Sequence, residues 1–220
     1  MTPESEAAPG PPIGLLIVRH GESEWNALGR WQGQADPQLS ARGEDQAARA
    51  AKALAGIPID RVVSSDLSRA RRTAGIIAEL LGLAAVGVEP GLREVDVGEW
   101  SGLTRPEIEA RWPRLLADWS LGRLESTPGG ESLTALRARV TAAIDRVLES
   151  SRSTNGTGPL TVLVVSHRRA ISALEEAAGV TPVRAGHLAG RRFSAGEDGV
   201  LQPGEPLDLL AEMAPPQESL

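Results

Sequence analysis

The sequence predicts a three-layer α/β/α protein with a mainly parallel central sheet and a helical lid insertion. Three observations lead there. Short apolar runs alternate with stretches of helical periodicity along most of the chain. Two of the runs, Ile13–Val18 and Leu160–Val165, are apolar without interruption, as in strands covered on both faces. Histidines, arginines and a carboxylate follow the strands directly, where an open α/β sheet binds its ligand.

Taken in order, residues 1–12 are rich in Pro, Glu, Ala and Ser and read as a disordered leader. Ile13–Val18 forms the first strand. Ser40 opens a helix that carries Ala47, Ala51 and Leu54 on one face and stops at Gly56 and Pro58. Arg61–Ser64 is a short strand, and Asp66 is placed to cap a helix running to about Leu81 before Gly82. Ala84–Val88 reads as a third strand. Thr104–Trp119 is helical, with Pro106 in a tolerated early position and Pro113 splitting or kinking it. A long amphipathic helix covers Glu131 to about Ser150, followed by a polar loop over Ser151–Gly158. Leu160–Val165 is the second strongly apolar strand, and Arg169–Ala178 the last helix. Residues 191–201 could add one or two strands. A flexible tail is expected over residues 203–220, so one domain spans 13–202, with a lid insertion at about 99–130.

Composition narrows the function. The 220 residues carry 23 Lys+Arg and 29 Asp+Glu, a formal charge of −6, which argues against a nucleic-acid partner. Without cysteine there is no disulfide, thiol nucleophile, zinc finger or iron–sulfur cluster. No apolar run approaches the roughly 18–20 residues that span a bilayer, so no membrane partner is expected. The leader lacks basic residues and is not a signal peptide, which points to the cytoplasm. Lys52 is the sole lysine, so 22 of the 23 basic residues are arginine. A GC-rich genome produces such a bias, yet the planar guanidinium also suits anions.

The residues after the strands define a chemistry. Arg19, His20 and Gly21 follow the first strand; Arg69 lies in the first turn after the second; Arg93 and Glu94 follow the third; His167 and Arg168 follow Leu160–Val165. A neutral imidazole can attack phosphorus, arginines neutralise phosphoryl oxygens, and a carboxylic acid protonates the leaving oxygen. Taken singly, each residue reads as structural or solvated. Two histidines without a third ligand at recognisable spacing do not make a zinc site.

These residues also carry a resemblance. "RHGESEWN" (Arg19–Asn26) resembles the signature of the histidine phosphatase superfamily, also called phosphoglycerate-mutase-like. "GRWQGQADPQLSARGEDQA" (Gly29–Ala47), "SSDLSRARRTA" (Ser64–Ala74), "LREVDVGEWSG" (Leu92–Gly102), "PGGES" (Pro128–Ser132) and "VVSH" (Val164–His167) are similar to its later blocks. The resemblance implies His20 as the nucleophile that becomes phosphohistidine. It implies Arg19 and Arg69 as phosphoryl ligands, His167 as the second histidine and Glu94 as proton donor. Gly21, Ser23, Asn26, Gln32 and Gly33 fall to the substrate pocket. Where the family usually has glycine, this chain has Arg168, which would add a third cation for a more anionic substrate, narrow the pocket and reduce activity, or point to solvent from the helix start. His20 must be unprotonated, so nearby cations should lower its pKa and a bond from its other ring nitrogen to a carbonyl should fix the tautomer. Glu94 must carry a proton when the alkoxide departs, which favours a mildly acidic optimum.

No metal or cofactor is called for, because arginines and histidine supply the positive charge. The expected partner is a small phosphorylated metabolite, and homodimers are common in the family. The first loop reads "GQAD" (Gly33–Asp36) rather than the mutase-like "GW.D", and the insertion before the second histidine is short. A phosphomonoester hydrolase is therefore expected, with cofactor-dependent phosphoglycerate mutase as the alternative. A non-catalytic phospho-ligand or partner-binding relative is the reading of another class. Trp100, Trp112 and Trp119 offer stacking surface or core. Arg105, Arg111, Arg114 and Arg123 would reach a second anionic group or stand in solvent, and His187 has no assigned role.

Overall fold

The computed structural model describes residues 12–83, 85–154, 158–196 and 199–211. The expected leader up to residue 11, the start of the third strand at Ala84 and the end of the tail lie outside them. Among the described residues, β1 (Ile13–Arg19), β2 (Arg61–Ser64), β3 (Val86–Val88), β4 (Leu160–Ser166), β5 (Ala189–Ala195) and β6 (Leu201–Asp208) form one sheet in the order β3-β2-β4-β1-β5-β6. The β1–β4, β2–β4 and β2–β3 pairs are parallel, and β5 and β6 join antiparallel.

The apolar run of β1 divides by alternation between two cores. Ile13, Leu15 and Ile17 face one side, and Leu16 and Val18 the other. The first side is covered by α6 (Leu133–Thr154) and α7 (Arg168–Ala177), through residues such as Leu136, Val140, Ile144 and Ile171. The second is covered by α2 (Ala41–Leu54) and α3 (Ser68–Leu80), through Ala47, Ala51, Ala70 and Ile77. Each fully buried aliphatic side chain contributes about 1.5–3 kcal/mol relative to exposure. The sheet is thus covered on both faces, as the unbroken apolar runs require.

The insertion contains α4 (Arg105–Arg111) and α5 (Pro113–Ser120), which break at Trp112 before the proline. Its Trp100, Ile108, Leu116 and Trp119 belong to the same apolar cluster as the sheet face. The insertion is therefore packed into the core. Trp100 is fully buried, and Trp31 and Trp119 meet it edge-on at 5.3 and 6.1 Å.

Two expectations need correction. The tail boundary at 203 falls inside β6, which pairs with β5 from Ala189↔Asp208 to Ala195↔Leu201. Pro203 and Pro206 do not prevent this, because β6 is an edge strand whose outer side needs no donors. Asp66 does not cap α3. The N-cap is Leu67, without a side-chain bond, and the Asp66 carboxylate instead accepts from Arg93 Nε at 2.8 Å. A short helix, α1 (Glu24–Ala27), is capped by Ser23 and falls within the first motif.

The antiparallel edge is tied to α7 by a buried ion pair. Arg191 Nε donates to Glu175 at 2.7 Å, and the Val183 amide donates to the other carboxylate oxygen at 3.1 Å. Removing one partner strands a buried charge, whereas an exposed pair such as Arg137–Glu176 contributes little. Glu175→Ala should lower stability in urea by about 3–5 kcal/mol, and Glu176→Ala by less than about 1 kcal/mol.

Candidate active site

The parallel register sets the site. Arg19 pairs with Ser166 across β1 and β4, and the His20 amide donates to the Ser166 carbonyl at 3.0 Å. The next residue on each chain is then a histidine, and the His20 and His167 rings stand edge-to-face with centroids 5.0 Å apart. Ser166 Oγ donates to the Leu92 carbonyl at 2.8 Å and so fastens the loop that carries Glu94 to the same strand end.

The protonation state of His20 follows from its neighbours. Nδ1 lies 2.6 Å from the Gly21 carbonyl, which can only accept, so Nδ1 carries the hydrogen. Nε2 accepts from Arg69 Nε at 3.2 Å, and a guanidinium can only donate, so Nε2 keeps its lone pair. The ring is 3% exposed. Burial, then His167, Arg69 and Arg19, hold its pKa well below the usual value, against the smaller opposing effect of the Gly21 bond. His167 is fully buried, and neither ring nitrogen has a hydrogen-bond partner among the described residues. Burial and the charges of Arg69, Arg19 and Arg139 lower its pKa too.

The segment after His20 is pinned from below. A Cβ on Gly21 would come within 2.7 Å of the Gly43 carbonyl oxygen in the first turn of α2. The Gly21 amide donates to Thr73 Oγ1 at 3.1 Å, and Thr73 Oγ1 donates to the Arg69 carbonyl at 2.7 Å. Gly21 and Ser23 therefore do not line the cavity. Ser23 is buried, and its hydroxyl donates to Gln32 Oε1 at 2.9 Å. Both serve as supports, a correction to the substrate contacts expected of them.

Arg69 locks the first loop. Its terminal nitrogens donate to the Ala35 and Gly33 carbonyls at 2.8 and 2.9 Å. Gly33 has φ +52°, and a Cβ there would meet Val97 Cγ2 at 2.8 Å, so only glycine fits. Asp36 of the same loop accepts from the Ser68 amide at 2.6 Å, at the start of α3. Burial is the first cause that lowers both arginine pKa values to about 10. For Arg19 the Arg168 charge comes next, whereas for Arg69 Glu94 and Asp36 pull the other way.

Glu94 sits at the amino end of α7. Its carboxylate accepts from the Arg169 amide at 3.2 and 3.3 Å and from the Val95 amide at 2.9 Å. Arg139, on α6, donates to the Gly91, Arg93 and Glu94 carbonyls at 2.9–3.3 Å and pairs with Glu131. That clamp fixes the Glu94 loop.

The result is a cavity of about 260 Å³. Arg19, His20, Arg69 and Glu94 line it, as do Asn26, Gln32, Gly33 and Arg168 among the other expected residues. His167 does not line it but backs His20. Sequence reasoning missed Arg30, Trp31 and Arg169, which also face the cavity. The first two stand in the quoted "GRWQG" block, and Arg169 adjoins Arg168, so their neighbours were a usable signal. Of the insertion tryptophans only Trp119 reaches the cavity, under the Arg169 guanidinium at 4.8 Å from its ring centroid. Arg105, Arg111, Arg114 and Arg123 are exposed. His187, which the sequence left without a role, stands beside the site: Nε2 lies 3.3 Å from Asn26 Oδ1 and the ring 6.2 Å from that of His20. Among the described residues, no group of three His, Cys, Asp or Glu side chains is arranged to hold a metal ion. No helix among the described residues is long and apolar enough to cross a membrane.

All three histidines have lowered pKa values, that of His187 to about 4 through burial, Arg19 and Arg42. The unfolded chain binds protons near pH 6.5 while the folded chain does not. Stability is therefore complete above about pH 6.5 and falls as pH drops below it. The urea midpoint should decline from pH 7 to 5, before most carboxylates titrate, and less in His187→Gln than in the native chain.

Comparison with known proteins adds a frame. The profile of the "Histidine phosphatase superfamily (branch 1)" matches residues 15–190. A Citrobacter koseri protein named "Probable phosphoglycerate mutase GpmB" is 41% identical over 164 residues, 73% of this chain and 72% of its own. The solved structure of a mycobacterial glucosyl-3-phosphoglycerate phosphatase superimposes with a TM-score of 0.74 at 29% identity, covering 87% of this chain and 97% of that one. One called mycobacterial hydrolase 1 has a TM-score of 0.75 at 31% identity, with coverages of 88% and 97%.

Proposed function

The chain belongs to the histidine phosphatase superfamily, branch 1, whose members are phosphatases or mutases, and from that premise we propose a phosphomonoester hydrolase for small phosphorylated metabolites, working through phosphohistidine. The observation that carries this reading is His20: a buried, neutral imidazole with Nδ1–H spent on a carbonyl and the Nε2 lone pair beside Arg69.

In the proposed reaction the Arg69 Nε–H turns from Nε2 to a phosphoryl oxygen as substrate enters. Nε2 attacks phosphorus, and the P–O ester bond breaks. Glu94 passes its proton to the departing oxygen. Arg19 and Arg69 neutralise the equatorial oxygens. His167 stands edge-on behind His20, with ring centroids 5.0 Å apart, and supports the attacking ring. Glu94 then takes a proton from water, whose oxygen attacks phosphorus, and the P–N bond breaks to release phosphate and neutral His20.

The "GQAD" loop and the relatives named as phosphatase and hydrolase support hydrolysis. The GpmB relative's name supports the mutase alternative. p-Nitrophenyl phosphate should be hydrolysed at pH 5–7 in the presence of EDTA. His20→Ala should abolish turnover, and Arg19→Gln should lower kcat by about two to three orders of magnitude. Isomerisation of 3-phosphoglycerate with trace 2,3-bisphosphoglycerate, without phosphate release, would establish the mutase instead. Phosphate binding without any turnover would establish the non-catalytic relative.

A further inference from the structure

A second hollow, of about 390 Å³, adjoins the cavity and shares Trp31, Trp119, Arg168 and Arg169 with it. Two more arginines close its far side: Arg105 at the start of α4 and Arg184 in the loop before β5. Among the described residues, no carboxylate lines this hollow.

The concentration of charge is unbalanced. Elsewhere in the described residues eight arginines form ion pairs with Asp or Glu, in a chain whose net charge is −6. None of the four arginines here has a carboxylate within ion-pair distance among the described residues. Among the described residues, Arg105 donates only to Ser120 Oγ, at 3.5 Å. Arg169 lies over the Trp119 ring; burial first, then the Arg168 charge beside it, lowers its pKa, against the opposing pull of Glu94 and Glu176. Four like charges around one concavity repel one another, and an anion between them removes that cost. Trp31 and Trp119 give the passage from the first cavity apolar walls suited to a carbon skeleton.

We propose that this hollow is an anion subsite: the substrate is a phosphomonoester whose leaving portion carries a second anionic group, a carboxylate or a second phosphate. Arg168 and Arg169 stand between the two sites, and Arg105 and Arg184 receive the distal anion. This rests on the assignment of the first cavity to the phosphoryl group.

The test uses matched ligands and two arginines that line the second hollow alone. Binding to the His20→Ala protein, which stops turnover, is measured by calorimetry. One pair is 6-phosphogluconate and glucose 6-phosphate; the other is 3-phosphoglycerate and glycerol 3-phosphate; fructose 1,6-bisphosphate against fructose 6-phosphate gives the phosphate arm. In at least one pair the member with the second anion should bind about tenfold tighter, and the preference should shrink as salt is raised. Adding Arg105→Gln and Arg184→Gln should abolish the preference. In the protein with His20 intact, the same two changes should leave kcat/KM for p-nitrophenyl phosphate within about twofold. Equal binding within every pair, or a preference that survives both changes, overturns the subsite. Preference in binding without hydrolysis of any of these esters would overturn the hydrolase reading and leave the subsite standing. Hydrolysis without preference would do the reverse.

Discussion

A neutral imidazole has to be kept beside two guanidinium groups, and most of the structure follows from that constraint. Water would let His20 take a proton near neutral pH; burial among Arg19, Arg69 and His167 does not. The Gly21 carbonyl holds the hydrogen on Nδ1 and leaves Nε2 unprotonated. For that carbonyl to be in place, the chain after β1 must turn against the first turn of α2, closely enough that neither Gly21 nor Gly43 tolerates a side chain. A covered, parallel sheet is what delivers this arrangement. It ends β1 and β4 side by side in a dry interior and sets both histidines one residue beyond the last paired position.

The arginines divide into those that face the ligand and those that hold the frame. Arg69 does both, since its Nε touches His20 while its terminal nitrogens close the Gly33–Asp36 loop. Arg139 holds only the frame, through three carbonyls around Glu94. Such a role needs several donors in one plane, which lysine does not offer. The scarcity of lysine therefore has structural consequences wherever a guanidinium bridges carbonyls, whatever its genomic origin.

Residues immediately after strands were legible in the sequence, because an unbroken apolar run marks a strand and the sheet fixes where its end points. His20, Arg69, Glu94 and Arg168 reach the cavity for that reason. Adjacency was a poorer guide to direction: Gly21 and Ser23 follow His20 yet face the protein interior. β6 was hidden because two prolines, a glycine and a glutamate erase strand patterning, and an edge strand accepts them. Arg139 carries no local signal, since its value lies in three carbonyls about 45 residues away in sequence. His187 was invisible as a neighbour of His20 because only the β5 connection brings it to Asn26.

Nitrogen-15 NMR of histidine-labelled protein across pH 5–8 tests the state of His20 directly. The geometry predicts one neutral tautomer for His20 throughout that range, with Nδ1 protonated and Nε2 bare. Titration of His20 with a midpoint near 6.5, or a hydrogen on Nε2, would contradict it.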